Sequence, residues 1–170
     1  MNSTTQDDIC RNLASEFGCI EDGDSPIDLA LTHAVGALLA RFDGRGHVAS
    51  CDQRTGMSIE AVRDEFSVER DRLIIWRQVV IGRYTADILV SVWVPSQSGP
   101  LYIVVECDGH EFHERTKQQA AHDKKRDRAL QRLGYPVLRF TGSEIWKSPT
   151  RAAVELIGAV LDIAMVRASN

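Results

Sequence analysis

The chain reads as an α/β domain: a mixed sheet of four strands flanked by helices, in the order helix, three strands, helix, strand, helix. Three observations predict this class. Between Leu73 and Asp108, three runs rich in β-branched and aromatic residues are separated only by turn signals. A long polar segment, Thr116 to Leu133, stands between the third run and a fourth at Tyr135–Phe140. Apolar stripes at helical spacing lie at both ends of this block.

The 170 residues fit one domain, read as 25–170, preceded by an arm or short helix over 1–24, where no periodicity is sustained. An apolar fraction of 44% is enough for a core, and no stretch is long enough to cross a membrane. Met1–Asp8 is acidic and polar, unlike a secretory signal. Cys10, Cys19, Cys51 and Cys107 form no CxxC pair, which suggests reduced thiols and a cytoplasmic location. A zinc site built from the first three and a histidine matches no standard spacing. The net charge of −4 hides an uneven distribution. From Arg115 to Arg139 the chain carries Lys117, Lys124, Lys125, Arg126, Arg128 and Arg132 against only Asp123 and Asp127. Such a local field suits a phosphate-rich partner despite the negative total.

Ser25-Pro26-Ile27-Asp28 reads as a helix start, with a serine cap, proline at the first helical position and an acid three residues after the cap. Ile27, Leu31, Ala34, Val35, Leu38 and Phe42 continue it as one stripe, and Gly44 and Gly46 end it. Residues 47–69 carry only a hint of a second helix, in Ile59, Val62 and Phe66. Leu73–Ile81 and Tyr84–Val94 are strands joined at Gly82-Arg83. Strict alternation puts Ala86, Ile88, Val90, Val92 and Val94 on one face, and Thr85, Asp87, Leu89, Ser91 and Trp93 on the other. After the turn cluster 95–100, the apolar run from Leu101 is a third strand, and the short connections favour an antiparallel meander. In the polar helix, Leu130 and Leu133 are expected to pack on the sheet, with Gly134 as the stop. Thr141 begins a short helical piece. Ser148-Pro149 then opens a last helix whose Ala153, Ile157, Val160, Leu161 and Ala164 face inward.

Chemistry concentrates where the third strand ends, in Glu106-Cys107-Asp108-Gly109-His110-Glu111-Phe112-His113. Glu106 and Asp108 project to one side of their strand, and Asp87 is an acid in a strand otherwise made for burial. A carboxylate there either pairs with an arginine such as Arg83 or Arg139, or converges with the other two acids on a metal. An oxygen-rich site of that kind suits Mg²⁺ or Mn²⁺ better than zinc. His113, returned over the acids by the Asp-Gly turn, is the better placed of the two histidines to move a proton. Asp123 and Arg126 lie near the sheet edge, either as an ion pair orienting the helix or as support for the acids. Lys125, Arg128 and Arg132 form either a solvated face or a track for a phosphate backbone. Asp28 is explained by its place in the capping box.

Taken together, Asp87, Glu106-Cys-Asp108, the Asp-Gly-x-x-His ending at His113, and Asp123-Lys-Lys-Arg-Asp127…Gly134-Tyr-Pro-Val-Leu-Arg-Phe140 resemble the PD-(D/E)XK nuclease superfamily. The nearest pattern is its compact bacterial branch, akin to the very-short-patch repair endonuclease. Gln78 and the opening Ser25-Pro-Ile-Asp28 fit the same branch. The resemblance implies a restriction-endonuclease-like core with the metal site at a splayed strand edge. It implies that Asp87 and Glu106 bind Mg²⁺ (or Mn²⁺) with the main-chain carbonyl of Cys107. Asp108 is then a ligand or a water holder, and His113 assists proton transfer. Asp28, Gln78, Asp123 and Arg126 support the site, and Lys117, Lys124, Lys125, Arg128 and Arg132 face the nucleic acid. Asp28 stands where the branch usually has glutamate. Asp108 stands where the superfamily usually has lysine, which leaves His113, Lys124 or Lys125 to supply that role.

The activity expected is cleavage of DNA, with RNA as the alternative substrate, by metal-polarised water attacking a phosphodiester in line with its leaving 3′ oxygen. A homodimer or a partner protein would accompany double-strand cutting. Two other readings stand beside it. One is a nucleic-acid-binding module of the same fold that does not cut. The other is an interaction subunit of a defence or toxin system, docking through the acidic N-terminal third.

Overall fold

The computed structural model of the chain describes residues 26–42, 49–52, 56–66, 73–94, 99–108 and 117–169, without the side chains at 26, 39–42, 49–52 and 117–120. The arm at 1–24, the Ser25 cap, the zinc reading at Cys10, Cys19 and Cys51, and both His110 and His113 lie outside this description. In chain order the elements are α1 (Pro26–Phe42), β1 (Ala49–Asp52), α2 (Ile59–Phe66), β2 (Leu73–Ile81), β3 (Tyr84–Trp93), β4 (Pro100–Asp108), α3 (Lys117–Arg132), β5 (Val137–Thr141), α4 (Gly142–Lys147) and α5 (Pro149–Ala168).

The predicted mixed α/β sheet is present, and it gains a strand. The order is β1-β2-β3-β4-β5, with β2, β3 and β4 antiparallel and the outer strands β1 and β5 parallel to their neighbours. The edge strand β1 comes from the stretch that carried no strand signal. Its four residues, Ala-Ser-Cys-Asp, are too few and too polar to show a period, and only pairing with Leu73–Trp76 makes them a strand. The meander closes through Gly82 at φ +61, the glycine-first form of a two-residue hairpin.

Two apolar layers cover the sheet. On one face α1, α4 and α5 enclose Ile75, Ile88, Val90, Ile103, Val105 and Phe140. On the other, α2 packs Ile59, Val62 and Phe66 against Trp76, Leu89 and Val104, and Leu130 of α3 joins them. The edge of this second layer is aromatic: Phe66 stacks on Trp93 at 6.3 Å and meets Tyr102 edge-on. Two expected core positions are outside. Leu133 is 62% and Leu161 52% exposed, because Gly134 at φ +90 turns the chain after α3 and Leu156, not Leu161, carries the inward stripe of α5.

Strict alternation also fails, at one place. Ile74 and Trp76 face the α2 layer, yet so do Val79 and Ile81, which differ from them by an odd number of positions. Ala86 shares that layer with Leu89 and not with Ile88 as alternation requires. The register between β2 and β3 is unchanged on both sides, from Arg77↔Ile88 to Val79↔Ala86. The break therefore lies at the pair between them, Gln78 and Asp87. Gln78 has φ +49, the left-handed conformation that costs a side-chain-bearing residue about 1–2 kcal/mol. Its carbonyl, turned out of the ladder, accepts from Gly56 N at 2.9 Å.

Candidate active site

A second interruption lies beside the first. The β3–β4 ladder runs from Trp93↔Pro100 to Ile88↔Val105 and stops. Beyond it β3 stays with β2, and β4 stays with β5 as far as Asp108↔Thr141. The sheet is thus splayed between β3 and β4, and the next two positions in register, Asp87 and Glu106, flank the wedge. The Asp87 carboxylate replaces the missing ladder bond: its Oδ2 accepts the Cys107 N–H at 2.8 Å. In an extended strand the N–H and C=O of one residue project to the same edge, so the Cys107 carbonyl is directed to this wedge as well.

Each acid sits in a different environment. Asp28, at the start of α1, is fully buried. It accepts from Leu29 N at 2.8 Å and from Gln78 Nε2 at 3.0 Å, and Arg77 lies 3.8 Å away. Burial pushes its carboxyl up to about 6, against the opposing pull of Arg77. The cap reading of Asp28 is therefore incomplete, since its carboxylate points into the site and not to solvent. Gln78 also hydrogen-bonds Asp87, so one amide in a left-handed turn joins the two acids. Burial raises Asp87 too, partly offset by the Cys107 N–H and by the charge of Arg126.

Glu106 is 3% exposed and pairs with Arg126 of α3. Among the described residues its Oε1 and the Arg126 Nε are buried without a hydrogen-bond partner. Asp108 faces Arg139, whose Nη1 lies 2.8 and 3.1 Å from its two oxygens. The same guanidinium grips Asp127 through Nε at 3.0 Å and Nη2 at 2.6 Å. Arg139 therefore answers Asp108 and Asp127, not Asp87, and Arg83 lies on the ring of Tyr84. Arg77 is an addition to the expected site, and Arg139 takes Asp108 and Asp127 in place of the Asp87 expected for it. The available signal was an arginine in the middle of β5, cross-strand to Glu106.

Of the other expected residues, Asp123 is half-buried on α3, one turn before Arg126 and Asp127. Lys124, Lys125, Arg128 and Arg132 are exposed along the same helix. The side chain of Lys117 and all of His113 lie outside the described residues. Burial and then the surrounding acids push the Cys107 thiol far up, so it stays protonated in the metal-free protein.

Among the described residues no three His, Cys, Asp or Glu side chains are grouped to hold a metal ion. Asp87 and Glu106 nevertheless flank the wedge in register, and the Cys107 carbonyl shares the strand edge whose N–H meets Asp87. The partnerless Glu106 Oε1 and the crowding of Asp87 by Asp28 and Asp108 are both conditions that a hard cation relieves. The donor set is all oxygen, which fits Mg²⁺ or Mn²⁺.

The burial of Asp28 has a consequence in solution. Its carboxyl binds a proton more tightly in the folded state than the unfolded value of 3.8, so its contribution is fully stabilising below about pH 4 and is lost as pH rises through about 6. Metal-free protein is expected to lose roughly 3 kcal/mol of stability over that window from this group. Urea melts between pH 4 and 7.5 measure it. The slope should flatten in Asp28→Asn, and an identical slope in wild type and variant contradicts the assignment.

Against the models of known protein families, residues 60–160 match REase_MTES_1575, a restriction-endonuclease-like family. The matched span covers α2 through most of α5 and so contains Gln78, Asp87, Glu106, Asp108, Arg126 and Arg139. No significant match is found among curated proteins or among solved structures.

Proposed function

The chain belongs to the REase_MTES_1575 family of restriction-endonuclease-like proteins, and on that footing we propose that it is a divalent-metal-dependent endonuclease acting on DNA. The observation that carries the proposal is the splayed β3–β4 wedge, where Asp87 and Glu106 stand opposite each other beside the Cys107 carbonyl. Buried acids that repel one another cost stability, and a site that keeps them is expected to use them.

The residues divide the work by position. Asp87 and Glu106 would hold Mg²⁺ or Mn²⁺ with the Cys107 carbonyl. When bound, the cation would supply Lewis-acid stabilisation of charge on a phosphate and lower the pKa of water. Gln78 fixes Asp87 through its amide, and the left-handed turn in β2 is what brings that amide round to it. Arg139 of β5 ties α3 to the sheet through Asp127 and holds the end of β4 through Asp108, which sets the height of α3 over the wedge. Lys124, Lys125, Arg128 and Arg132 then offer an exposed basic track for the backbone beside the site, supporting DNA as the partner. His113 remains our choice for proton transfer, from its place in the Asp-Gly-x-x-His motif. No described helix is long and apolar enough to cross a membrane, and we assign the protein to the cytoplasm from its scattered thiols.

Incubation of the full chain with supercoiled plasmid and with single-stranded DNA, in Mg²⁺, Mn²⁺ or EDTA, tests the proposal. Nicking or linearisation with metal and none in EDTA is the expected result. DNA binding that neither needs nor responds to metal, without cleavage, would instead make it a non-cleaving module of the same fold.

A further inference from the structure

The wedge holds one cation of its own, and its position raises the question of what happens to it when substrate and metal arrive. Arg126 pairs with Glu106, and its charge also acts on Asp87, so the guanidinium is bound to one proposed metal ligand and within the field of the other. Its bonding is incomplete: among the described residues Nε has no partner, and the opposing Glu106 Oε1 has none either. The side chain is 23% exposed, so it has a way out towards the solvent side of the wedge.

The neighbouring cations differ. Arg139 commits Nε, Nη1 and Nη2 to Asp127 and Asp108. Arg77 is 2% exposed, beneath Asp28. Lys124 and Lys125 are exposed on α3, at helical positions away from the face that carries Arg126 and Leu130. Among the described residues, Arg126 is the cation at the wedge with both spare donors and access to solvent.

We propose that Arg126 exchanges partners: it is the resident counter-ion of Glu106 in the metal-free protein, and the incoming divalent cation displaces it to bind the scissile phosphate. The proposal rests on the nuclease reading for its second half only. A divalent cation on Glu106 would stand against the Arg126 guanidinium on the same carboxylate, and the repulsion between the two positive groups makes them compete for it. Once released, the planar fork matches two phosphate oxygens, and the low dielectric of the wedge strengthens that contact as charge develops on them. The arrangement also explains how buried Glu106 and half-buried Asp87 survive folding without metal: Arg126 shields them until a stronger cation arrives. With Asp108 where a lysine is usual, Arg126 supplies the side-chain cation that the strand lacks.

The two halves predict effects of opposite sign. In Arg126→Leu, calorimetric titration with Mn²⁺ alone should show binding at least about tenfold tighter than wild type, because the competitor is gone. Plasmid cleavage by the same variant at saturating Mn²⁺ should fall about 100-fold or more. Arg126→Lys keeps a charge without the fork, so its Mn²⁺ affinity should stay near wild type and its cleavage should recover in part. Thermal melts of both variants confirm that they are folded. Should Arg126→Leu fail to fold, Arg126→Lys and Arg126→Gln carry the same pair of measurements. Weaker or unchanged Mn²⁺ binding in the uncharged variant overturns the exchange, as does wild-type cleavage. If Mn²⁺ binding tightens while no form of the protein cuts DNA, the exchange stands and the nuclease reading falls.

Discussion

Asp87→Asn is expected to lose at least about 100-fold in DNA cleavage while becoming no less stable than the wild type. The two halves of that result have one cause. The carboxylate of Asp87 is raised by burial, which means that the fold favours its neutral form and tolerates the charge. Asparagine has nearly the same shape, retains an oxygen to accept the Cys107 N–H, and cannot ionise. It therefore keeps the strand edge tied and removes a charge that the metal-free fold would rather not carry. What it cannot do is bind a hard cation with comparable strength. Stability rising or holding as activity collapses is the behaviour of a strained functional group, and a structural acid would show the reverse. Glu106→Gln should be as inactive but less stable, because it also removes the partner of Arg126. Cleavage assays at fixed Mn²⁺, paired with thermal melts, measure both quantities. Activity in Asp87→Asn within threefold of wild type would remove Asp87 from the reaction.

Arg139→Met is expected to cost roughly 2–4 kcal/mol in stability. Its guanidinium makes four short contacts with two carboxylates, one of them on a residue only 8% exposed. Hydrogen bonds donated to Asp127, more than the charge of Asp108, hold the guanidinium above its ordinary range, and the 2.6 Å contact makes the Asp127 side the tighter one. Removing the arginine strands two acids that had been neutralised, and that loss exceeds the worth of the pair itself. The double variant Arg139→Met with Asp108→Asn should recover at least about 1 kcal/mol of the loss, since the more buried of the stranded charges is gone. Urea denaturation of the two single variants and the double supplies the cycle. Strict additivity would mean that the contact between Arg139 and Asp108 is incidental.

The strands of the meander could be read directly because Ile, Val and Trp at β2, β3 and β4 carry the signal in local composition. The last two helices were equally legible. Thr141 and Ser148 cap them with their own side chains, accepting from Glu144 N and Arg151 N, and such bonds are written in adjacent residues. The acids of the wedge stood out because a carboxylate in a buried run is conspicuous.

Three features were not legible, each because a distant contact decides it. β1 is a strand only through β2. Gln78 adopts φ +49 against the preference of any residue with a Cβ, and nothing nearby in sequence requires it. The requirement comes from Asp28 and Asp87, fifty residues upstream and nine downstream, which its amide joins. That turn shifts the inward face of both β2 and β3, so Ala86 changes layer for a reason absent from its own strand. Arg139, finally, stood in the sequence only as one of two arginines, with Arg83, that could answer Asp87. Only the parallel pairing of β4 with β5 places it across from Glu106, between Asp108 and Asp127.

On the proposed mechanism Asp87, Glu106 and the Cys107 carbonyl hold one divalent cation in the wedge between β3 and β4. Crystals of the full chain soaked in Mn²⁺ test it through the anomalous difference map. A single strong peak is expected at about 2.0–2.3 Å from an oxygen of each of those residues, with Arg126 withdrawn from Glu106. A peak elsewhere in the molecule, or an empty wedge with Arg126 still on Glu106 at saturating Mn²⁺, would contradict it.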